Sequence, residues 1–225
     1  GAALNAEVED FLKKIKLPIA TGYGMTECGP LLTYAPWQEQ RSRSAGRAIT
    51  PVELKIDSGD QIRQAGEIMV RGKNIMLGYY KNTEATREVL DEDGWLRTGD
   101  LGVVDSDGFL YIMGRSKSMI LGPSGQNIYP EEIESKLNVM GYVQESLVLL
   151  EGDRLIALVY PDWNAVDAEK GENGDNEIWL REVMEEIRTE VNTRLPAYSR
   201  IAEIRLHGDA FEKTPTQKIK RYRYS

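Results

Sequence analysis

The sequence predicts an α+β chain, β-rich in its first half and built from a sheet with flanking helices in its second. Three observations carry that expectation. Alternation recurs in VELKID (52–57) and GEIMVRG (66–72), and 94–115 reads as two strands around the turn DSDG. Helical spacing rules 177–195, where Leu180, Val183, Met184, Ile187, Val191 and Leu195 share one face. The character changes near residues 115–118, ahead of a loop rich in Gly and Pro, so a domain boundary is expected there.

The elements follow in order. LNAEVEDFLKKI (4–15) places Leu4, Val8, Phe11, Leu12 and Ile15 at helical spacing, with Asn5 to cap its start. Pro18 stops that helix, and LPIATGYG is expected to hold a short apolar strand running into glycines. Residues 30–50 read as irregular. TEATREVL (83–90) reads as a short helix capped by Asn82 or Thr83. SMILGPSGQNIYP pairs a short apolar strand with a loop. PEEIESKLNVM (130–140) is a helix with Pro130 and two acids in its first turn. YVQESLVLLEGDRLIALVYP (142–161) is a hairpin around EGDR, and the polar stretch 162–177 reads as a loop. Pro196 ends the long helix. IAEIRL (201–206) is a strand, and the basic segment KTPTQKIKRYRYS (213–225) follows.

Composition narrows the functions. Of 225 residues, 41% are hydrophobic and 28% charged, which suits a packed domain rather than disorder. A net charge of −8 argues against a general nucleic-acid binder, yet leaves room for a local basic site. Cys28 is the single cysteine and His207 the single histidine. An internal disulfide, a cysteine zinc site and a multi-histidine metal site are thereby excluded, and nothing suggests a Ser-His-Asp triad around His207. The lone cysteine fits a reducing compartment, the cytoplasm. No apolar run approaches the ~20 residues that span a bilayer, though peripheral membrane contact stays open. The chain opens without Met, at GAALNAEVEDFL, and is expected to be a piece of something longer.

Four stretches hold side chains suited to chemistry. In TGYGMTECG (21–29), Thr26 can donate to a phosphate oxygen, Glu27 can offer oxygen to Mg²⁺, and Tyr23 offers a flat face for a base. A tight strand-end loop with Glu27 solvated explains the same residues equally well. In GWLRTGDLG (94–102), Asp100 stands between glycines at an expected strand end and can accept two hydroxyls of a ribose; a turn aspartate bonding its own backbone is the alternative. In GRSKSMILGPSGQNIYPEEIE (114–134), Arg115 can bond ribose or phosphate oxygens, and Lys117 sits where a backbone rotation can be absorbed. Gly122 and Gly125 leave room for an extended ligand. Ordinary surface cations are the alternative for Arg115 and Lys117. The fourth stretch is the basic end of the chain.

In this order, GYGMTE, GWLRTGDLG, GRSKSMI…SGQNIYPEEIE and KTPTQKIKR resemble the adenylate-forming superfamily of acyl-CoA synthetases, peptide-synthetase adenylation domains and luciferases. GEIMVRGKNIMLGYYKNTEAT looks most like its acyl-CoA synthetases. The resemblance implies a fold and an activity. Residues 1–115 would be the last subdomain of the large AMP-binding domain, 116–118 a hinge, and 119–225 the small C-terminal domain. The activity would be a fatty acid–CoA ligase: a carboxylate attacks the α-phosphate of ATP, pyrophosphate leaves, and coenzyme A then displaces AMP. ATP, Mg²⁺ and coenzyme A are thus implied. Tyr23 would pack on adenine, with Ile112 near the base. Thr26 would touch the α-phosphate, Glu27 would help hold Mg²⁺, and Asp100 and Arg115 would take the ribose. Lys117 would be the pivot, Gly125 or Gly122 would meet the pantetheine arm, and Lys218 would be the catalytic lysine. Gly1, Ala2 and Ala3 match the end of a GGA stretch lining the pocket. An acyl-carrier-protein ligase, an adenylation domain or a non-catalytic nucleotide-binding module are the alternatives.

Three departures stand out. Gln217 replaces the family's usual Gly before the lysine, and Gln does not adopt positive φ cheaply, so the arm is expected to run differently. The loop MILGPSG is about one residue longer than the common pattern, which leaves the choice between Gly122 and Gly125 open. The Ser/Thr/Gly-rich loop that cradles phosphate in the family has no counterpart here, so the chain alone is expected to turn over slowly or not at all.

Overall fold

The computed structural model describes residues 4–123, 125–170, 176–215 and 217–224. Gly1, Ala2 and Ala3 lie outside them. The chain divides into two compact units, residues 1–117 and 118–225.

The first unit opens with α1 (Ala6–Lys14), whose Asn5 side chain accepts from the amides of Glu7 and Val8, the expected cap. Next come β1 (Gly22–Gly24), β2 (Leu31–Tyr34) and β3 (Arg47–Ala48), which pair in that order as an antiparallel sheet. Two expectations fail here. The strand is GYG itself rather than the apolar LPIA, and residues 30–50 hold two strands. The cause is close backbone packing: a Cβ on Gly24 would stand 1.9 Å from the Pro30 carbonyl oxygen, and one on Gly22 would stand 2.7 Å from that of Thr33. Only glycine lets β1 approach its neighbour so closely.

Four further strands, β4 (Glu53–Asp57), β5 (Gly66–Arg71), β6 (Leu96–Val104) and β7 (Leu110–Arg115), form an antiparallel sheet in sequence order. The short helix α2 (Thr83–Val89) precedes β6, with the Asn82 side chain accepting from the Ala85 amide. Ile56, Ile68, Val70, Leu96 and Leu110 alternate inward and share one core with Tyr23, Cys28 and Leu32. Full burial of each such aliphatic side chain contributes about 1.5–3 kcal/mol.

The second unit begins with the two-stranded β8 (Ile120–Leu121) and β9 (Asn127–Ile128). After α3 (Pro130–Leu137), β10 (Val143–Glu151) and β11 (Arg154–Pro161) form the expected hairpin, and β12 (Ile201–Leu206) lies parallel beside β11. The strand order β10-β11-β12 leaves one side of β10 as an edge. The long helix α5 (Asn176–Thr193) buries Leu180, Met184, Ile187 and Val191 in a core shared with Ile133 and Leu137 of α3 and with the sheet. The polar stretch read as a loop contains α4 (Trp163–Lys170) instead. Asp162 receives the Ala165 amide at 3.3 Å, and Val166 is fully buried, so a cap and one apolar anchor suffice to fix the helix. No described helix is long and apolar enough to cross a membrane.

Candidate nucleotide and catalytic sites

The β5–β6 pairing slips at Asp100. Glu67 faces Leu101 and Met69 faces Arg97, so Thr98, Gly99 and Asp100 together oppose Ile68 alone. Gly99 takes φ +72°, and its amide donates to the Glu67 carboxylate at 3.0 Å. Asp100 therefore sits on a bulge within a strand rather than at a strand end. A bulge re-aims one side chain without ending the sheet.

Three of the expected residues meet there. The Tyr23 hydroxyl donates to Asp100 Oδ2 at 2.6 Å, and Arg115 Nε stands 3.2 Å from Asp100 Oδ1. Arg115 is the register partner of Asp100 on β7, so the sheet itself sets this pair. The Asp100 side chain is 16% exposed and that of Arg115 is 44% exposed. A carboxylate has about four acceptor positions, so capacity for a diol remains. Arg115 also reaches the Thr98 carbonyl through Nη2 at 3.4 Å.

Tyr23 departs from expectation. It is 8% exposed, within the core, and presents no open face for a base. Burial, and then the Asp100 charge, push its phenol far above the usual tyrosine value, so it stays protonated and acts as a donor. Its glycines serve the β1–β2 approach rather than a ligand. Ile112 is half-buried against the same core.

Thr26 and Glu27 occupy a single 3₁₀ turn, Thr26–Cys28, directly after β1. Thr26 is exposed and Glu27 half-buried. Glu27 is held from residues that no sequence argument singled out. Tyr79 donates its hydroxyl to Glu27 Oε1 at 3.0 Å, the Met76 amide donates to the Glu27 carbonyl at 2.8 Å, and Asn74 donates to the carbonyls of Cys28 and Leu31. Burial, followed by the bond to Glu27, raises the Tyr79 phenol above its ordinary value. The only signal was that KNIMLGYY belongs to a family-like stretch. Among the described residues no group of three His, Cys, Asp or Glu side chains is placed to hold a metal. One oriented carboxylate fits the way Mg²⁺ binds when phosphate oxygens and water fill its other positions. Cys28, beside Glu27, is fully buried, and burial pushes its thiol up to about 12, which leaves it inert.

Lys117 is exposed and is the last residue of the first unit. Its neighbour Ser116 is still tied to that unit, the amide donating to the Gly99 carbonyl at 2.9 Å.

In the second unit the two candidate glycines differ. A Cβ on Gly122 would stand 3.0 Å from the Ile128 side chain, so packing accounts for that glycine. Gly125 takes φ +80° with nothing within 4 Å of a Cβ, at the open end of the β8–β9 turn.

The described residues of the basic segment pack against the second unit as an arm. Phe211 is 3% exposed, packed with Leu147 and Leu149. Lys213 bridges Ile219, closing a small loop. Gln217 does take positive φ, 62°, against expectation. Thr214 frames the turn: its carbonyl accepts from the Gln217 amide at 2.9 Å, its amide donates to the Lys218 carbonyl at 2.8 Å, and its hydroxyl accepts from the Lys218 amide at 3.2 Å. These bonds offset the roughly 1–2 kcal/mol that a non-glycine residue loses in this conformation.

The arm's other cations have carboxylate partners. Lys213 pairs with Glu145, Lys220 and Arg223 with Glu212, and Arg221 with Glu134 and Glu131. Lys218 is exposed and, among the described residues, has no carboxylate partner.

The family model for AMP-binding enzymes matches residues 1–80. Among curated proteins, a long-chain-fatty-acid–CoA ligase of Yersinia pestis is 46% identical over 133 residues, 57% of this chain and 23% of that protein. A 2-succinylbenzoate–CoA ligase of Bacillus pumilus is 41% identical over 148 residues, 63% of this chain and 30% of that protein. A probable 4-coumarate–CoA ligase of Dictyostelium discoideum is 41% identical over 145 residues, 61% and 26%. The chain thus spans less than a third of the length of these relatives. Among solved structures, the O-succinylbenzoate coenzyme A synthetase of Bacillus subtilis with AMP aligns at a TM-score of 0.81 and 26% identity, covering 100% of this chain and 44% of that one. The same enzyme with ATP and magnesium aligns at 0.78 and 26%, covering 99% and 44%.

Proposed function

We propose that the chain is a member of the adenylate-forming superfamily and supplies the nucleotide-holding and lysine-bearing parts of an ATP-dependent acid–CoA ligase. The state of Lys218 carries this reading. Four of the arm's five cations are neutralised by carboxylates, while the remaining ammonium is held out on a framed turn.

In the first half-reaction a carboxylate oxygen bonds to the α-phosphorus and the α–β phosphoanhydride bond breaks, releasing pyrophosphate. Two anions must approach each other. The Lys218 ammonium neutralises the charge that gathers on the reacting oxygens, most strongly in the transition state. Asp100, oriented by Tyr23 and Arg115, accepts the ribose hydroxyls, and Arg115 donates beside it. Ile112 borders the base. Thr26 donates to the α-phosphate. Glu27, steadied by Tyr79, would hold Mg²⁺, which when bound would offset phosphate charge. In the second half-reaction the thiol of coenzyme A bonds to the acyl carbon, the bond to AMP breaks, and the thiol proton leaves to solvent. Gly125, open and at positive φ, lets the pantetheine arm lie close to the backbone. Lys117 is the pivot between the half-reactions.

For the acid we propose a fatty acid, supported by the 46% identity to a long-chain-fatty-acid–CoA ligase. Full-length protein, ATP, Mg²⁺ and coenzyme A should convert a long-chain fatty acid to its thioester with equimolar AMP and pyrophosphate. Preference for 4-coumarate or 2-succinylbenzoate would replace the acid but keep the reaction; ADP as product, or thioester formed without ATP, would refute the reaction itself.

A further inference from the structure

The edge of β10 carries a closure that the proposed chemistry does not use. The Val148 amide donates to Glu134 Oε1 at 2.7 Å, and the Val148 carbonyl accepts from Arg221 Nη1 at 3.3 Å. Arg221 Nη2 then pairs with Glu134 Oε2. A carboxylate from α3 and a guanidinium from the arm thus replace a missing strand along one peptide of the sheet edge. The pair is nearly out of solvent, with the Glu134 side chain 11% and the Arg221 side chain 24% exposed.

A buried ion pair is a weak source of stability, because desolvation consumes most of the attraction. What it does fix is geometry, since a fork of donors matches a carboxylate in few orientations. Here it fixes the returning leg of the arm three residues beyond Lys218. The outgoing leg is fixed separately, by buried Phe211 and by Lys213 on Glu145. The chain is thus tied to the second unit on both sides of Lys218, by Phe211 and Lys213 before it and by Arg221 after it.

We propose that Arg221, through Glu134 and the Val148 peptide, is a positioning residue for Lys218: it holds the arm so that the lysine meets the reacting phosphate and takes no part in thioester formation. This rests on the role assigned to Lys218 above.

The test measures the half-reactions separately in the full-length protein: ATP–pyrophosphate exchange with a fatty acid, and thioester formation from preformed acyl-adenylate and coenzyme A. Arg221→Met should slow exchange about 10- to 10²-fold, the scale of a displaced catalytic group, with the KM for ATP little changed. Thioester formation should keep its rate. Combined with Lys218→Ala, it should cost nothing further, because there is no longer an ammonium to place. Glu134→Gln, which keeps one of the two acceptor oxygens, should show the same pattern to a smaller degree and serves if Arg221→Met fails to fold. Equal slowing of both half-reactions, or a double variant slower than Lys218→Ala by the full Arg221 factor, would overturn the positioning role alone. Undiminished exchange by Lys218→Ala would overturn the lysine's assignment and this role together.

Discussion

Tyr23→Phe isolates the contact that orients Asp100, the carboxylate proposed to take the ribose. The substitution leaves the ring in the core and removes only the oxygen that donates to Asp100 Oδ2 at 2.6 Å. A hydrogen bond to an ionised group contributes about 1.5–3 kcal/mol. Asp100 keeps Arg115 on its other oxygen, and at 16% exposure it regains some water, so the lower part of that range, about 1.5–2 kcal/mol, is expected. Urea denaturation of the chain, followed by hydrogen exchange at β1 and β6 amides, reports the loss within the first unit. The same change made on Asp100→Asn should cost less, because no charged acceptor remains to be orphaned. AMP affinity should fall up to about tenfold, one factor of 1.4 kcal/mol, as the carboxylate loses its fixed rotamer. Equal stability losses in the two backgrounds, within about 0.5 kcal/mol, would refute the idea that the hydroxyl acts through Asp100.

Three more outcomes follow from single contacts. Gly24→Ala should destabilise the first unit by about 1–3 kcal/mol, since its Cβ would meet the Pro30 oxygen at 1.9 Å, whereas Gly141→Ala, with nothing within 4 Å, should stay within about 0.5 kcal/mol; urea midpoints compare them. Tyr79→Phe should raise the Mg²⁺ concentration needed for half-maximal exchange by about 2- to 10-fold, the worth of one ordinary hydrogen bond, read from a Mg²⁺ titration of the initial rate. Burial raises the Glu134 carboxyl from 4.5 to about 7, outweighing the Arg221 charge. A folded group that binds its proton more tightly than the unfolded one stabilises at low pH, and that share is lost as pH rises from 4.5 through about 7. Denaturation midpoints across that window should therefore fall more for the native protein than for Glu134→Gln.

What could be read beforehand was local. Asn5, Asn82 and the two hairpin turns announce themselves within a few residues, because caps and turns are made by neighbours in sequence. The sheet of β1, β2 and β3 did not, since its glycines are explained by a carbonyl several residues away. The helix Trp163–Lys170 was hidden by polarity, although Asp162 followed by Trp163 and Val166 held its signal. Motif residues singled out Asp100, Glu27 and Lys218 as candidates. The groups that hold them were illegible: Tyr79 lies 52 residues from Glu27 and Arg221 lies 87 from Glu134, and no local pattern encodes such meetings. Gln217 shows the reverse error, in which an intrinsic preference is overridden by three bonds from Thr214.

Lys218→Ala in the full-length protein bears most directly on the whole account. Acyl-adenylate formation should fall on the order of 10²–10³-fold, the usual loss for a preorganised electrostatic donor, while conversion of supplied adenylate to thioester proceeds at its native rate. A variant that still forms adenylate at full speed, or that loses both steps alike, would contradict it.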